Sequence, residues 1–340
     1  MALGSAVLFG AATPLAKHLL GTVEPQLLAG LLYLGAGCGL ALIHAGRAVL
    51  GIPSPEAPLR AADAPWLLAI VLFGGIAGPL LLMLGLFHTS ASSGSLLLNI
   101  EGFATMSIAW LVFRENVDRR LLAGAFAIPA GDGVLSWDGN GIQVDRGALL
   151  IAGACLAWGI DNNLARKLSA ADPVLIATIK GIAAGSANTC IGLLNDAAEP
   201  PASVIALAAV AGFFGIGVSL VLFVLALRHL GTACTGAWFS LAPFIGAVVS
   251  VLALHEALSL KLIVAAGLMG FGLWTHLAEQ HDHEHLHEPV EHEHAHEHDA
   301  HHQHTHEGPV TEPHSHWHRH ATLRHAHPHY PDTHHRHPHP

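Results

Sequence analysis

Charged side chains are scarce in this sequence, and that scarcity excludes an ordinary soluble domain. Asp, Glu, Lys and Arg make up 12% of 340 residues, while apolar residues account for 52%; soluble domains carry about a quarter charged residues. Cysteine is also rare. Cys38, Cys155, Cys190 and Cys234 stand singly in apolar segments with no CxxC spacing, which excludes a disulfide framework and a thiolate metal centre and leaves them as small buried residues. No basic patch exists to hold nucleic acid. The formal charge of -10 comes largely from the last sixty or so residues, where Glu279, Asp282, Glu284, Glu288, Glu291, Glu293, Glu297, Asp299 and Glu307 lie. No nucleophile with a paired base, phosphate loop or closed metal site is visible, so the chain does not read as an enzyme.

What is present is a succession of apolar segments, each close to the roughly twenty residues that cross a bilayer as a helix. Charges, prolines and glycines divide Met1 to about Ala278 into ten expected spans: 2–20, 26–46, 65–87, 90–113, 119–137, 147–168, 173–195, 201–228, 232–254 and 259–278. The first has no basic flank or cleavage site and is read as a retained span. With the N-terminus inside, Arg47, Arg60, Arg114, Arg119, Arg120, Arg166, Lys167 and Arg228 fall on the cytoplasmic side, against Arg146 and Lys261 outside. Ten spans return the C-terminus to the cytoplasm.

The spans repeat. HTSASSGSLLLNIEGFATMSIAWLVFRENVDRRLLAGA, from His88, aligns without a gap over HLGTACTGAWFSLAPFIGAVVSVLALHEALSLKLIVAA, from His229. Phe103 then falls on Phe244, Leu111 on Leu252 and Glu115 on Glu256. More weakly, LFGAATPLAK from Leu8 lies over AWGIDNNLAR from Ala157. Two five-helix units result, and because five is odd they insert with opposite topology. Inverted repeats of this kind mark secondary transporters that alternate access around a midplane site.

These segments resemble the EamA-type repeats of the drug/metabolite transporter superfamily over roughly residues 1 to 278. The small-residue openings of spans four and nine, Pro243, and the helix-end glutamates Glu115 and Glu256 before a Gly-containing last span carry the resemblance. It implies a ten-helix inner-membrane carrier that exports small metabolites without a bound cofactor. Many members carry Glu-Pro in span four, where this chain has Glu101-Gly102, and Phe9 stands where Trp is common.

A charge at the centre of a span costs about 2.5 to 3.5 kcal/mol on insertion scales, so each needs a partner or a water-filled cavity. The interior charges are Glu101, Asp132, Asp161 and Lys180. Asp161 and Lys180 are equally far from the turn near Ala170, so an antiparallel hairpin sets them at one depth. The pair is either a register-fixing ion pair or a substrate or proton site. Asn162 and Asn163 beside Asp161 favour a cavity. Glu101 and Asp132, across the next hairpin, form a possible proton-coupling pair of carboxylates; Glu101 hydrogen-bonded to Asn99 and Thr105 is the plainer alternative. Glu115 and Glu256 read as salt-bridged helix ends, Lys17 and Arg166 as snorkelling cations. The glycine pairs Gly35/Gly39, Gly74/Gly78 and Gly181/Gly185 read as close helix packing, and Pro14, Pro79 and Pro243 as kinks.

After His276 the apolar periodicity ends, and the tail from residue 279 to 340 has too little apolar surface to offset its ordering entropy; it is expected to be disordered. His281, His283, His285, His287, His292, His294, His296, His298, His301, His302, His304 and His306 offer imidazoles suited to Ni, Co or Zn.

The reading is therefore an all-α integral membrane protein with two inverted five-helix repeats, residues 1–137 and 147–278, plus a cytoplasmic tail. Its expected activity is alternating-access export of a small organic solute lined by Asp161, Asn162, Lys180 and Glu101, with no cofactor required. Two alternatives stay open: a divalent-metal exporter whose tail collects or senses metal, and a membrane-anchored metal buffer that transports nothing. The expected partners are the solute or metal ion and the bilayer, with a homodimer left open and nucleic acid excluded.

Overall fold

A computed structural model of the chain describes residues 1–51, 59–113, 127, 130, 131, 133–135, 145–165, 168, 172–195, 197–223, 225, 226, 238–277, 281–287, 291–296, 314–319 and 323–329. Up to Leu277 the regular structure is helical: α1 (Ala2–Leu19), α2 (Pro25–Val49), α3 (Ala61–His88), α4 (Ala91–Leu97), α5 (Ile100–Phe113), α6 (Arg146–Ala165), α7 (Pro173–Leu194), α8 (Ala202–Phe223), α9 (Ala242–Ala253) and α10 (Leu260–Leu277). The helices α2, α3, α6, α7 and α8 are long and apolar enough to cross a membrane, and α9 and Leu260–Trp274 are shorter apolar helices. Every expected span contains helix; in the fifth, the described residues 127, 130, 131 and 133–135 are helical. Most of the fifth, Asp132 included, lies outside the described residues.

The repeat is visible in how the helices start. Glu24 accepts a hydrogen bond from the Leu27 amide at 2.9 Å and is followed by Pro25; Asp172 accepts from Val174 at 2.8 Å and is followed by Pro173. An acidic cap with proline in the first turn satisfies or removes orphan amides, so both helices begin sharply. Thereafter α2 and α7 run antiparallel in close contact. A Cβ on Gly37 would meet Gly181 and Ile182, and one on Gly185 would meet Tyr33 and Leu34. Counting from Pro25 and Pro173, Gly37 corresponds to Gly185, and the segment 33–34 to 181–182. Each contact is thus the symmetry mate of the other, as a two-fold axis across antiparallel equivalents demands.

Two distortions also recur. The middle of α3, Val71–Ala77, is wound as π-helix, and so is Phe213–Val218 of α8. The relation that carries His88 to His229 carries Gly74 to Gly215. Span four, expected as one helix over 90–113, is instead broken at Leu98 and Asn99 between α4 and α5. There the Asn99 side chain donates to the Leu96 carbonyl at 2.8 Å, a local bond that competes with helix continuation. The same relation sets Asn99 over Ser240, in the turn before α9, where Leu241 bonds back to Trp238 at 3.3 Å.

The core joins both repeats through Leu27, Leu28, Leu86, Leu96, Ile151 and Met269. Exposed apolar side chains such as Leu42, Leu111, Leu149, Leu194, Leu252 and Trp274 stud the outer surface, as expected of helices that face hydrocarbon.

In the tail, the described residues are extended. Four strands pair as two antiparallel ladders, β1 (His281–His287) with β4 (Leu323–His329) and β2 (Glu291–His296) with β3 (His314–Arg319). Extended segments can satisfy each other's backbone groups in a ladder without any apolar core. His298, His301, His302, His304 and His306 lie outside the described residues.

Candidate functional site

The polar centre begins with a missing amide. In the π turn of α3 the Gly78 N–H bonds to the Phe73 carbonyl, five residues back. The next such bond would join residue 79 to Gly74, but residue 79 is proline and has no N–H. The Gly74 carbonyl is thereby released from the helix. Two side chains take it: Tyr33 of α2 through its hydroxyl and Trp158 of α6 through Nε1, each at 3.0 Å. Beside it, the Gly75 carbonyl accepts from Asn188 of α7 at 3.4 Å.

Asp161 sits against Gly74, where a Cβ would collide with its carboxylate. Its Oδ2 pairs with Lys180 Nζ of α7 at 2.5 Å. Asp161 is 6% exposed, and its Oδ1 is buried with no hydrogen-bond partner among the described residues. The equal-depth expectation from the hairpin is met. From the next residue of α6, Asn162 Nδ2 donates to Glu101 Oε1 at 3.0 Å and to Thr105 Oγ1 at 3.2 Å. Asn163 donates to the carbonyls of Thr105 and Gly159 at 3.0 and 2.8 Å, which fixes α6 against α5. Glu101 lies in the first turn of α5, immediately after the break in span four.

Asp161, Asn162, Lys180 and Glu101 are thus gathered into one cluster by α5, α6 and α7, while the pairing of Glu101 with Asp132 lies outside the described residues. The bond from Asn162 replaces the expected Asn99 contact, since Asn99 turns to its own backbone. Sequence reasoning missed Tyr33, Trp158 and the Gly74 carbonyl. Pro79, one residue after Gly78 in a glycine-rich span, was the signal, yet it read only as a kink.

The symmetry-related place is apolar. Ala12 corresponds to Asp161 and meets Gly215 as Asp161 meets Gly74. Leu32, as far from Pro25 as Lys180 is from Pro173, replaces the lysine. Ala242 stands for Glu101, Gly246 for Thr105, and Phe9 for Trp158. Phe9 packs on Phe239 at 5.4 Å between ring centroids, and Phe239 on Phe223 at 4.7 Å. Leu220 stands where Pro79 would fall. Deeper on that side, Ser5 and Ser219 exchange hydrogen bonds: Ser5 Oγ donates to the Ser219 carbonyl at 2.7 Å and Ser219 Oγ to the Ser5 carbonyl at 3.0 Å.

A third polar feature closes the end of the molecule at the α3–α4 turn. Glu256 accepts from the amides of Ala91 and Ser92 through its two oxygens, at 2.7 and 2.9 Å. This caps α4 of the first repeat with a carboxylate from the second. Lys17 Nζ donates to the Leu86 carbonyl at 2.5 Å, at the end of α3. Anion on a helix start and cation on a helix end both complement the helix dipole. Glu256 thus caps backbone amides where a salt-bridged helix end was expected, and Lys17 donates to a backbone carbonyl where a snorkelling cation was expected. Glu115 and Arg166, their repeat equivalents, lie outside the described residues.

The EamA-like transporter family matches residues 1–136 and 145–277. The chain belongs to that family. A protein of Methanothermobacter thermautotrophicus named an uncharacterized transporter is 28% identical over 282 residues, covering 79% of this chain and 82% of that one. A solved crystal structure with 20% identity superposes with a TM-score of 0.59 over 81% of this chain and 94% of the other; at that identity it shows the fold. The two family matches coincide with the two repeats read from His88 and His229. This EamA-like protein is accordingly a multi-pass membrane protein of a transporter family, which speaks against an enzyme. Among the described residues of its membrane body, no group of three or more His, Cys, Asp and Glu side chains is placed to hold a metal ion.

Proposed function

We propose that the protein is an inner-membrane secondary carrier that exports a small polar organic solute by alternating access, with both termini cytoplasmic. The observation that carries this reading is the buried Asp161–Lys180 pair with one carboxylate oxygen unpartnered, set between the repeats beside a π turn and a broken helix. Buried charge is expensive to keep in a membrane unless it is used, and discontinuous helices bordering a midplane site are the places where carriers bind solute and ions.

In the resting arrangement Lys180 neutralises Asp161. An ionised group of the solute would replace one member of the pair and reach the free Asp161 Oδ1, while Trp158 and Tyr33 supply flat apolar walls. Glu101 adds one acid beyond the neutral pair. Bonded to Asn162 at the start of α5, it is suited to carry the coupling proton. The repeats would then rock about the antiparallel α2–α7 contact. On the periplasmic side, Glu256 on α4 and Lys17 on α3 would hold the exit shut and release when the solute leaves.

Metal export and a non-transporting metal buffer draw on the tail alone and gain no feature of the membrane body. The test is efflux from proteoliposomes loaded with a mixture of small polar metabolites at an imposed proton gradient, read by mass spectrometry. Loss of particular solutes with the wild-type chain, but not with Lys180→Met, supports the reading. Efflux indistinguishable from protein-free liposomes for every organic solute, with nickel or zinc leaving instead, overturns it.

A further inference from the structure

The two ladders of the tail share a register that composition alone does not impose. In the first, His281 faces His329, His283 faces His327 and His285 faces His325. In the second, His292 faces His318, His294 faces His316 and His296 faces His314. Both ladders are antiparallel, and the histidines fall at every second position of every strand. Alternate residues of a strand share a face, so the first ladder gathers seven histidines on one face, His287 opposite Leu323, and the second gathers six. The acids occupy the alternate register positions: Asp282 faces Pro328, Glu284 faces Ala326, Glu291 faces Arg319 and Glu293 faces Trp317. No acid faces an acid.

We propose that each ladder is a binding site for borderline divalent transition-metal ions, the Ni, Cu and Zn class, held by facing histidine pairs. Directly opposed residues of an antiparallel pair have Cβ atoms about 4.5–5.5 Å apart, and a metal–imidazole bond is about 2.0–2.1 Å. The spacing of facing positions therefore suits one ion for each facing histidine pair. The next pair on the same face lies about 7 Å further along, at roughly 3.4 Å per residue, so successive pairs hold separate ions and water completes each shell. Neutral nitrogen donors without thiolate favour this class over calcium and magnesium, which require oxygen. The ligands must be deprotonated, so binding fades as pH falls below about 6.5, the ordinary histidine range. The site is independent of the solute pathway and stands or falls apart from it.

Equilibrium dialysis of the purified full chain in detergent against Ni²⁺ or Zn²⁺ alone, with bound metal counted by mass spectrometry, tests the register. Two variants of equal histidine loss are compared: His314→Gln with His316→Gln and His318→Gln, which strips β3, and His301→Gln with His304→Gln and His306→Gln, which leaves the sequences of β1–β4 unaltered. A third chain ends at Gln280. The expected result is that the β3 variant loses about half of the tightly bound ions, the other triple variant loses few, and the shortened chain loses nearly all. Equal losses in the two triple variants, or retention of the tight ions by the shortened chain, would overturn the proposal.

Discussion

The two symmetry-related places on either side of the α2–α7 contact have the same backbone and opposite chemistry. Both have a π turn, a broken fourth span and a small residue where one helix meets another. One holds Asp161, Asn162, Lys180, Glu101 and Trp158; the other holds Ala12, Thr13, Leu32, Ala242 and Phe9. Duplication supplies the scaffold, and side chains specialise one copy. The difference turns on Pro79: its missing amide exposes the Gly74 carbonyl to Tyr33 and Trp158, whereas Leu220 keeps its amide. In the proposed carrier, rocking draws on symmetric mechanics, while the solute needs only one polar pocket.

The comparison is broken most severely by making the polar side half apolar. Asp161→Ala leaves the half-buried Lys180 without its partner, which costs up to about 3 kcal/mol, the low end of the range for a buried pair; thermal unfolding in detergent should show that loss together with no efflux. Adding Lys180→Leu copies the Ala12/Leu32 side and removes the orphan charge. The double variant should recover most of the lost stability while efflux stays absent.

The next effect is steric. Gly74→Ala drives a methyl into the Asp161 carboxylate, whereas Gly215→Ala meets only the Ala12 methyl. Overpacking costs about 1–3 kcal/mol in either case, but efflux should fall about tenfold or more only in Gly74→Ala. Equal transport defects would show that the two π turns matter as hinges and not as pocket walls.

Pro79→Leu sharpens the contrast by giving α3 the residue of α8. Its new amide competes with Tyr33 and Trp158 for the Gly74 carbonyl, so tryptophan fluorescence should shift and the KM for efflux should rise several-fold with little change in melting. Glu256→Gln weakens two charge-assisted bonds across the repeats, each worth about 1.5–3 kcal/mol. It should raise the accessibility of a cysteine placed at Ser92 to a membrane-impermeant maleimide. The smallest effect belongs to Ser5→Ala on the apolar side: about 1 kcal/mol of stability and unchanged efflux.

Much of this was legible in the residues. Ungapped similarity from His88 and His229 gave both halves, because a duplicated helix unit retains its apolar spacing and its small contacts. The Asp161–Lys180 pair followed from distance along a hairpin, since rise per residue converts sequence separation into depth. Glu101 and Asn162 are a different case. They belong to spans that are distant in sequence, and only packing decides which polar group meets which. Nor does any periodicity distinguish a π turn from an α turn, so Pro79 read as a kink rather than as the residue that frees a carbonyl.

The central claim is that the ion pair serves the solute rather than the fold, and efflux by Asp161→Ala/Lys180→Leu from metabolite-loaded proteoliposomes tests it most directly. The account predicts a protein that melts cooperatively near the wild-type temperature and moves nothing above protein-free liposomes. A double variant that exports the same solutes at the wild-type rate would contradict it and leave the pair a fastening between α6 and α7.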